Sequence, residues 1–594
     1  MGDKNRRDAP HISFSVERPF LQSVNALPKR VREIIRTFSP RWRTVFYLLG
    51  VIAVLSFAAM LWQVNRYFLV EVPASGGSLT EGVIGIPRFI NPLLAVSEAD
   101  RDMTTLVYAG LMRATKSGLI PDLAESYEVS DDGLLYTFTL REKIEFHDGS
   151  LITADDVEFT ISKAQEPALK SPKRANWEGV VVEKIDERHV RFVLKQPYAP
   201  FLENTTLGIM PKAIWKNADA EQFSFSEFNI RPVGSGPYEI SDIKRNASGI
   251  PEYYDLVPFG NYALGKPYIR DVQVRFYSNE DALVRALRAG NIEAVNAISP
   301  ETAQKLSREG FAVLRAPLPR VFGVFFNQNQ ASLFAEKAVR AALSEAIARE
   351  DIIADVLFGY GMPIHGPIPP GSRGFGEDVS ENRFSAEEHI TSARALLERD
   401  GWKQGEGGVY EKKKSKKEML RLSFSLSTSD VPELKAVALR IKTQWEAMGA
   451  SVELKIFESG DLNQNVIRPR KYDAILFGEI IGRDSDLFAF WHSSQRNDPG
   501  LNIAMYMNSV ADKLLEDMRR AIDKEKRTVA YEKFRAEIKK DVPAVFIYAP
   551  EFVYILPQKI KGVSIGTITV PAERFLNINE WYIDTNLVWK VFVK

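Results

Sequence analysis

At 594 residues the chain exceeds what one hydrophobic core serves, and a prior of about 150 residues per domain points to roughly four units. Its 77 Lys+Arg balance 77 Asp+Glu, which argues against nucleic acid as a general partner, and 45% hydrophobic with 26% charged residues is a globular composition. The absence of cysteine excludes thiol catalysis, disulfides, Cys-ligated zinc, iron–sulfur clusters and a lipid-modified cysteine anchor.

The first informative element is VFYLLGVIAVLSFAAMLWQV, which opens at Val45 and closes at Val64. Twenty residues of helix span about 30 Å, the thickness of bilayer hydrocarbon. The run has no polar face, which argues against a buried core helix. Lys29, Arg30, Arg32, Arg36, Arg41 and Arg43 precede it, and only Arg66 and Glu71 follow closely. The positive-inside rule then predicts a cytoplasmic basic arm over 1–43, a transmembrane anchor over 44–64 and everything later outside. Residues 27–38 fit either a basic amphipathic helix on the inner leaflet or a disordered tail. The competing reading of the apolar run is a cleaved signal peptide, with Ser56-Phe57-Ala58 as its small-x-small site. The long basic arm and the apolar residues beyond that site favour an uncleaved anchor. Residues 65–78, with Pro73 and two glycines, read as a linker.

Beyond it, 79–84 reads as a strand and 106–113 (LVYAGLMR) as a helix. Asp132-Gly133 marks a hairpin between 127–129 and 135–140, and 180–185 with 189–194 a second. In LREKIEFHDGSLITADDVEFTI, Asp148-Gly149 is a turn, and Thr153 with Asp156 fits a capping box that opens a helix. VGSGPY at 233–238 could suggest a phosphate loop, but Pro237 lies inside it and no Lys-Ser/Thr follows. An amphipathic helix is predicted at 432–448. Strands at 420–426 and 452–457 complete a βαβ pattern around it, and YDAILF at 472–477 is a further strand. The lysines at 412–417 decorate a solvated hairpin tip.

Catalytic chemistry is hard to find. The six histidines lack metal-ligand spacing, and there is no GxSxG, P-loop or dinucleotide fingerprint. His147-Asp148 reads as a strand-end turn. Asp484 and Asp486 have nothing nearby to complete a hydrolytic pair.

The block at 140–161 resembles the signature of the family 5 extracellular solute-binding proteins, the peptide and nickel receptors of bacterial ABC importers. PRFINPLL, LVYAGLMR, PDLAE, VGSGPY, the Phe326-Asn327 step and the Gly366-Pro367-Ile368-Pro369 stretch resemble further elements of that family. The resemblance implies an α/β, two-lobed periplasmic-binding-protein fold of the large peptide-binding type, with an extra β-rich subdomain. It places the first lobe at 79–105, 201–267 and 501–594, the subdomain at 106–200 and the second lobe at 268–500. It implies a receptor without enzymatic activity or cofactor, which closes by hinge motion on a peptide or related solute and docks on an ABC permease with its ATPase. A membrane-anchored sensor or scaffold without a transport role is the runner-up, because of the basic arm.

By the same resemblance the cleft is lined by Val96, Ser97, Glu98 and Asp100 on the first lobe, Asn176 and Trp177 from the subdomain, Asn327 near the hinge, and Trp491. The loop after YDAILF supplies Gly478, Glu479, Ile480, Ile481 and Asp484. In peptide-binding members this loop lends backbone to the peptide and a carboxylate to its amino group. Ile481 stands where that Asp usually lies. Either Glu479 substitutes for it, or the ligand has no free amine there.

Overall fold

The computed structural model describes residues 34, 37–376, 384–414, 419–483 and 486–593. Most of the basic arm, part of the lysine-rich tip, and Asp484 with Ser485 lie outside them. The described residues fall into two units, 34–72 with 585–593, and 73–584.

The first unit is built on the helix Pro40–Phe68, opened by proline at its first position, where a missing N–H costs nothing. None of its residues is buried. By length and composition it is apolar enough to cross a membrane, and it is not the core helix of a globular domain. The strand Leu69–Pro73 follows and pairs with Thr585–Trp589.

In the second unit the expected linker is tied down rather than free. Ala74 N–H donates to Asp584 O, and Gly76 N–H to Tyr268 O, each at 2.9 Å. One sheet runs through both lobes, in the order Ser451–Phe457, Ser423–Ser429, Ala474–Ile480, Arg320–Phe326, Ala544–Ile555, Ala294–Val295, Ser78–Ile84, Asp271–Tyr277, Pro251–Pro258, Tyr238–Arg245. The long strand Ala544–Ile555 is shared. Its first residues pair with Arg320–Phe326 and its last with Val313–Pro317 and Val295.

This pairing divides the lobes elsewhere than at 268 and 500. Asp271–Tyr277 lies parallel to Ser78–Ile84, in the first lobe. Helices Ser509–Arg520 and Lys524–Asp541 bury Leu515, Tyr531 and Phe534 against Phe325 and Ile475 of the second. The chain passes between lobes near 318–320 and again near 549–551. Sequence similarity follows consecutive motifs, whereas lobe membership follows hydrogen-bonded partners far apart in the chain.

The second lobe buries its sheet on both faces. Along Arg320–Phe326, Val324 and Phe326 enter one core and Val321 and Phe325 the other, the period of two expected of a strand. The predicted βαβ unit is present. Ser423–Ser429 runs parallel to Ser451–Phe457, joined by Pro432–Met448, which Gly449 terminates at φ +110°.

The subdomain is a four-stranded antiparallel sheet, Ala124–Val129, Leu135–Leu140, His189–Val193, Val181–Lys184, covered by the helix Ala154–Gln165. The Asp156 carboxylate accepts from Thr153 N–H at 2.9 Å and from Lys212 N–H at 2.8 Å, so the capping residue also fixes a distant segment. His147 holds two motifs together. Its backbone N–H donates to Gly234 O at 2.8 Å, and its Nε2 lies 3.1 Å from Gly236 O. A Cβ on Gly234 would stand 2.0 Å from Val107 O, so VGSGPY is glycine-rich to let two backbones touch. Burial pushes His147 down to about 4, consistent with a neutral, structural ring.

One helix is misplaced in the sequence reading. Residues 106–113 contain the end of the helix Glu98–Val107, an extended turn at Tyr108 and the start of the strand Met112–Thr115. Gly110 packs closely on Thr206 O, 2.6 Å from where a Cβ would be, so any larger side chain there would clash.

Candidate functional site

A cavity of about 490 Å³ opens where first lobe, subdomain and second lobe meet. Local structure explains which side chains reach it. Ser97 N-caps the helix Glu98–Val107, and the Asp100 carboxylate returns to accept from Ser97 N–H at 3.0 Å and from Arg88 and Phe89 N–H at 2.7 and 2.9 Å. Asp100 is thereby consumed in building the turn. The next residues of the helix, Arg101, Thr104 and Thr105, line the cavity instead. Val96 is exposed, and Glu98 pairs with Arg101 at 2.9 Å.

From the subdomain Asn176 and Trp177 both line the cavity. Trp177 is otherwise packed against Phe192 and Phe201, so it is wall as much as contact. Lys173 lies beside them and is held below its usual range by burial and by Arg101, with Glu573 opposing. Asp122 forms the floor, pushed up to about 6 by burial against the pull of Arg113.

The second lobe contributes Gly482, Arg483 and Asp486 from the loop after Ala474–Ile480. Arg483 donates to Glu203 at 2.9 Å and to Glu573 at 2.6 Å, so one guanidinium joins second-lobe loop to two first-lobe carboxylates. Asp486 receives Arg519 at 2.8 Å and Tyr198 OH at 3.4 Å. Charges of both signs therefore face the cavity, together with the apolar surfaces of Trp177, Leu207 and Phe575.

The remaining expected positions lie elsewhere. Gly478 pairs with Phe322, whose ring sits 2.6 Å from where its Cβ would be. Ile480 is exposed at the end of its strand, and Ile481 is fully buried in a second-lobe core with Leu487 and Trp491. Asn327 is a turn former: its side-chain oxygen accepts from Asn329 N–H at 3.1 Å, and its amide donates to Arg470 O at 2.9 Å. Trp491 is buried against Phe325 and Phe546. Glu479 is buried with neither carboxyl oxygen hydrogen-bonded among the described residues. Burial pushes it well above the usual range, with the Trp491 indole acting weakly the other way. Asp484 lies outside the described residues.

Sequence reasoning did not single out Arg483, Glu203 or Glu573. Arg483 sat inside the loop already suspected, and a lone cation among acidic neighbours there was an available signal. Glu203 and Glu573 belong to no motif, and only the fold brings residues 280 and 90 positions from Arg483 beside it. Among the described residues no group of three or more His, Cys, Asp or Glu could hold a metal ion.

Comparison with known proteins agrees with this architecture. Residues 118–499 match the family model described as bacterial extracellular solute-binding proteins, family 5 Middle. The chain is 30% identical to the oligopeptide-binding protein AppA of Bacillus subtilis over 520 residues, 86% of this chain and 92% of that one. It is 26% identical to the probable D,D-dipeptide-binding periplasmic protein DdpA of Escherichia coli, covering 84% of this chain and 93% of that one. The crystal structure of the ABC transporter substrate-binding protein CtaP of Listeria monocytogenes superposes with a TM-score of 0.71 at 28% identity, covering 86% of this chain and 99% of that one. That of AppA in complex with a nonapeptide gives 0.63 at 28%, covering 86% and 100%. A two-lobed sheet sharing one long strand, a cavity where the lobes meet and a matching family model converge: the chain belongs to the family 5 bacterial extracellular solute-binding proteins.

Proposed function

We propose that this protein is a membrane-tethered receptor that encloses a peptide or related solute in the cavity between its lobes and delivers it to an ABC permease with its ATPase. The observation that carries the reading is the cavity itself, lined by Arg483 of one lobe and by Glu203 and Glu573 of the other, with which Arg483 pairs. The peptide-binding names of the relatives support the ligand class. Mass spectrometry of small molecules released from the purified full-length protein tests it. Recovery of peptides is the expected result, and an exclusively non-peptide ligand would overturn the ligand class.

The tether rests on the apolar helix, none of whose residues is buried, and the basic residues before it. Protein isolated from membranes should keep the residues before the span. Amino-terminal sequencing that begins near Ala59 would show a cleaved signal peptide instead.

Ligand-end specificity follows from Glu479. A carboxyl that burial keeps toward its neutral form and that does not line the cavity is a poor partner for an ammonium group. Glu479→Gln should change the affinity of a captured peptide, and of its N-acetylated counterpart, by no more than about threefold, ~0.6 kcal/mol. Calorimetry that finds a clear preference for the free amine, lost in Glu479→Gln, would make Glu479 the amine anchor.

A further inference from the structure

The residues after the second unit have no role in the cavity. Within it, Thr585–Trp589 pairs as a strand with Leu69–Pro73, directly after the long apolar helix, and Lys590–Phe592 forms a short helical turn. Trp589 donates its indole N–H to Asn65 Oδ1 at 2.9 Å and stacks on Phe68, ring centroids 6.2 Å apart at 24°. Asn65 is the first residue past the apolar run that closes at Val64. If twenty residues fill about 30 Å of hydrocarbon, the following turn stands at headgroup level. The Trp589 contacts therefore hold 585–593 at that depth.

Apart from Asn586 and Lys590, the residues this segment leaves exposed are apolar. Leu587 is 64% exposed, Val591 77% and Phe592 75%, and on the helix that Trp589 contacts Trp62 is 63% and Tyr67 82% exposed. An aqueous surface rarely gathers so many large apolar side chains in one place. Aromatic rings at the end of a membrane span are what the boundary between water and hydrocarbon selects. The charges agree with a lipid partner. Residues 585–594 hold Lys590 and Lys594 and no acidic residue, and Arg66 lies over the Trp62 ring at 5.3 Å. Long basic side chains reach up to phosphates while their stems stay in apolar surroundings.

We propose that segment 585–593 is a second membrane contact, an interfacial foot whose Leu587, Trp589, Val591 and Phe592 enter the headgroup–acyl boundary next to the outer end of the helix Pro40–Phe68. The proposal rests on the reading of that helix as an uncleaved anchor. The foot is an apolar face with one occupant, the outer leaflet of the same bilayer. Its strand pairing with Leu69–Pro73 and the stack of Trp589 on Phe68 pre-order it, so insertion costs little further chain entropy.

The absence of cysteine makes the test direct. Single variants Ile52→Cys, Phe225→Cys, Leu587→Cys and Phe592→Cys of the full-length protein carry a nitroxide label. Each replaces an exposed side chain, so folding is retained. The labelled proteins are reconstituted in vesicles of phosphatidylethanolamine with phosphatidylglycerol. Relaxation by oxygen and by a water-soluble nickel chelate then reports depth. The label at Ile52 should read as deep in hydrocarbon and that at Phe225 as aqueous. Labels at Leu587 and Phe592 should shift toward oxygen and away from nickel, to values between those two. If Ile52 is deep while Leu587 and Phe592 match Phe225, the foot is overturned and the anchor stands; the apolar face then serves a protein partner. If Ile52 itself is aqueous, the anchor reading fails and the foot fails with it.

Discussion

Replacing Arg574 with methionine should destabilise the protein by about 3–5 kcal/mol, seen as a lower denaturant midpoint. Arg574, Glu81 and Asp102 have fully buried side chains. Arg574 Nη2 donates to Glu81 at 2.8 Å and to Asp102 at 2.7 Å, and Tyr554 OH donates to the other Glu81 oxygen at 2.7 Å. The guanidinium also lies over the Phe575 ring at 4.0 Å. One side chain thus ties together strand Ser78–Ile84, helix Glu98–Val107 and the turn Pro571–Phe575. Methionine fills the space but leaves two carboxylates buried and unpaired, a larger loss than the pair's own net worth. The pH dependence has a definite sign. Burial already holds Glu81 above its ordinary value of 4.5 with Arg574 present. Without Arg574 the folded state retains protons that the unfolded chain releases, so folding gains stability as pH falls. The deficit relative to the natural protein should therefore narrow from neutral pH toward 4.5. Adding Glu81→Gln and Asp102→Asn to Arg574→Met should recover part of the loss at neutral pH. An unchanged midpoint, or a deficit that widens on acidification, would refute this account.

Arg483→Met should act on binding rather than folding. The Arg483 side chain is 12% exposed, with Glu203 at 27% and Glu573 at 17%, so its ion pairs are partly shielded from water. They join the second-lobe loop to the first lobe at the lining of the cavity. Loss of a charge partner of this kind costs about 2 kcal/mol or more, roughly 30-fold in affinity, mainly through faster release. Calorimetry with a peptide recovered from the purified protein measures the affinity. Small-angle scattering should show a larger radius for the variant at the same ligand concentration, because the lobes lose a tie that favours the closed arrangement. An unchanged affinity together with an unchanged radius would remove Arg483 from the closing mechanism.

Several features were legible without coordinates because their causes are local. The capping pair Thr153 and Asp156 lies three residues apart on one turn, Asp132-Gly133 needs only its own backbone, and the βαβ unit around Pro432–Met448 is a run of neighbouring elements. The apolar run from Val45 to Val64 is equally self-contained, since its length and composition are read from twenty consecutive residues.

The site was legible only where its chain segment was already under suspicion. Asn176 and Trp177 face the cavity, whereas Glu479, Ile481 and Trp491 turn into the second lobe. A loop's motif names the segment, but in a strand ending such as Gly478-Glu479-Ile480-Ile481 a shift of one residue exchanges one face for the other. Which face is buried depends on what packs there, and Phe325, Phe546 and Trp491 are gathered by the fold from distant parts of the chain. For the same reason the lobe boundary moved. Asp271–Tyr277 joins the first lobe because its hydrogen-bond partner is Ser78–Ile84, about two hundred residues away. The sequence by itself determined the family, the long apolar run, the turns and most of the elements, each read from residues within a few positions of one another. The tertiary structure alone decided the Arg574 cluster, the bridge from Arg483 to Glu203 and Glu573, and the pairing of Thr585–Trp589 with Leu69–Pro73, because each depends on a partner supplied by chain 90 or more positions away.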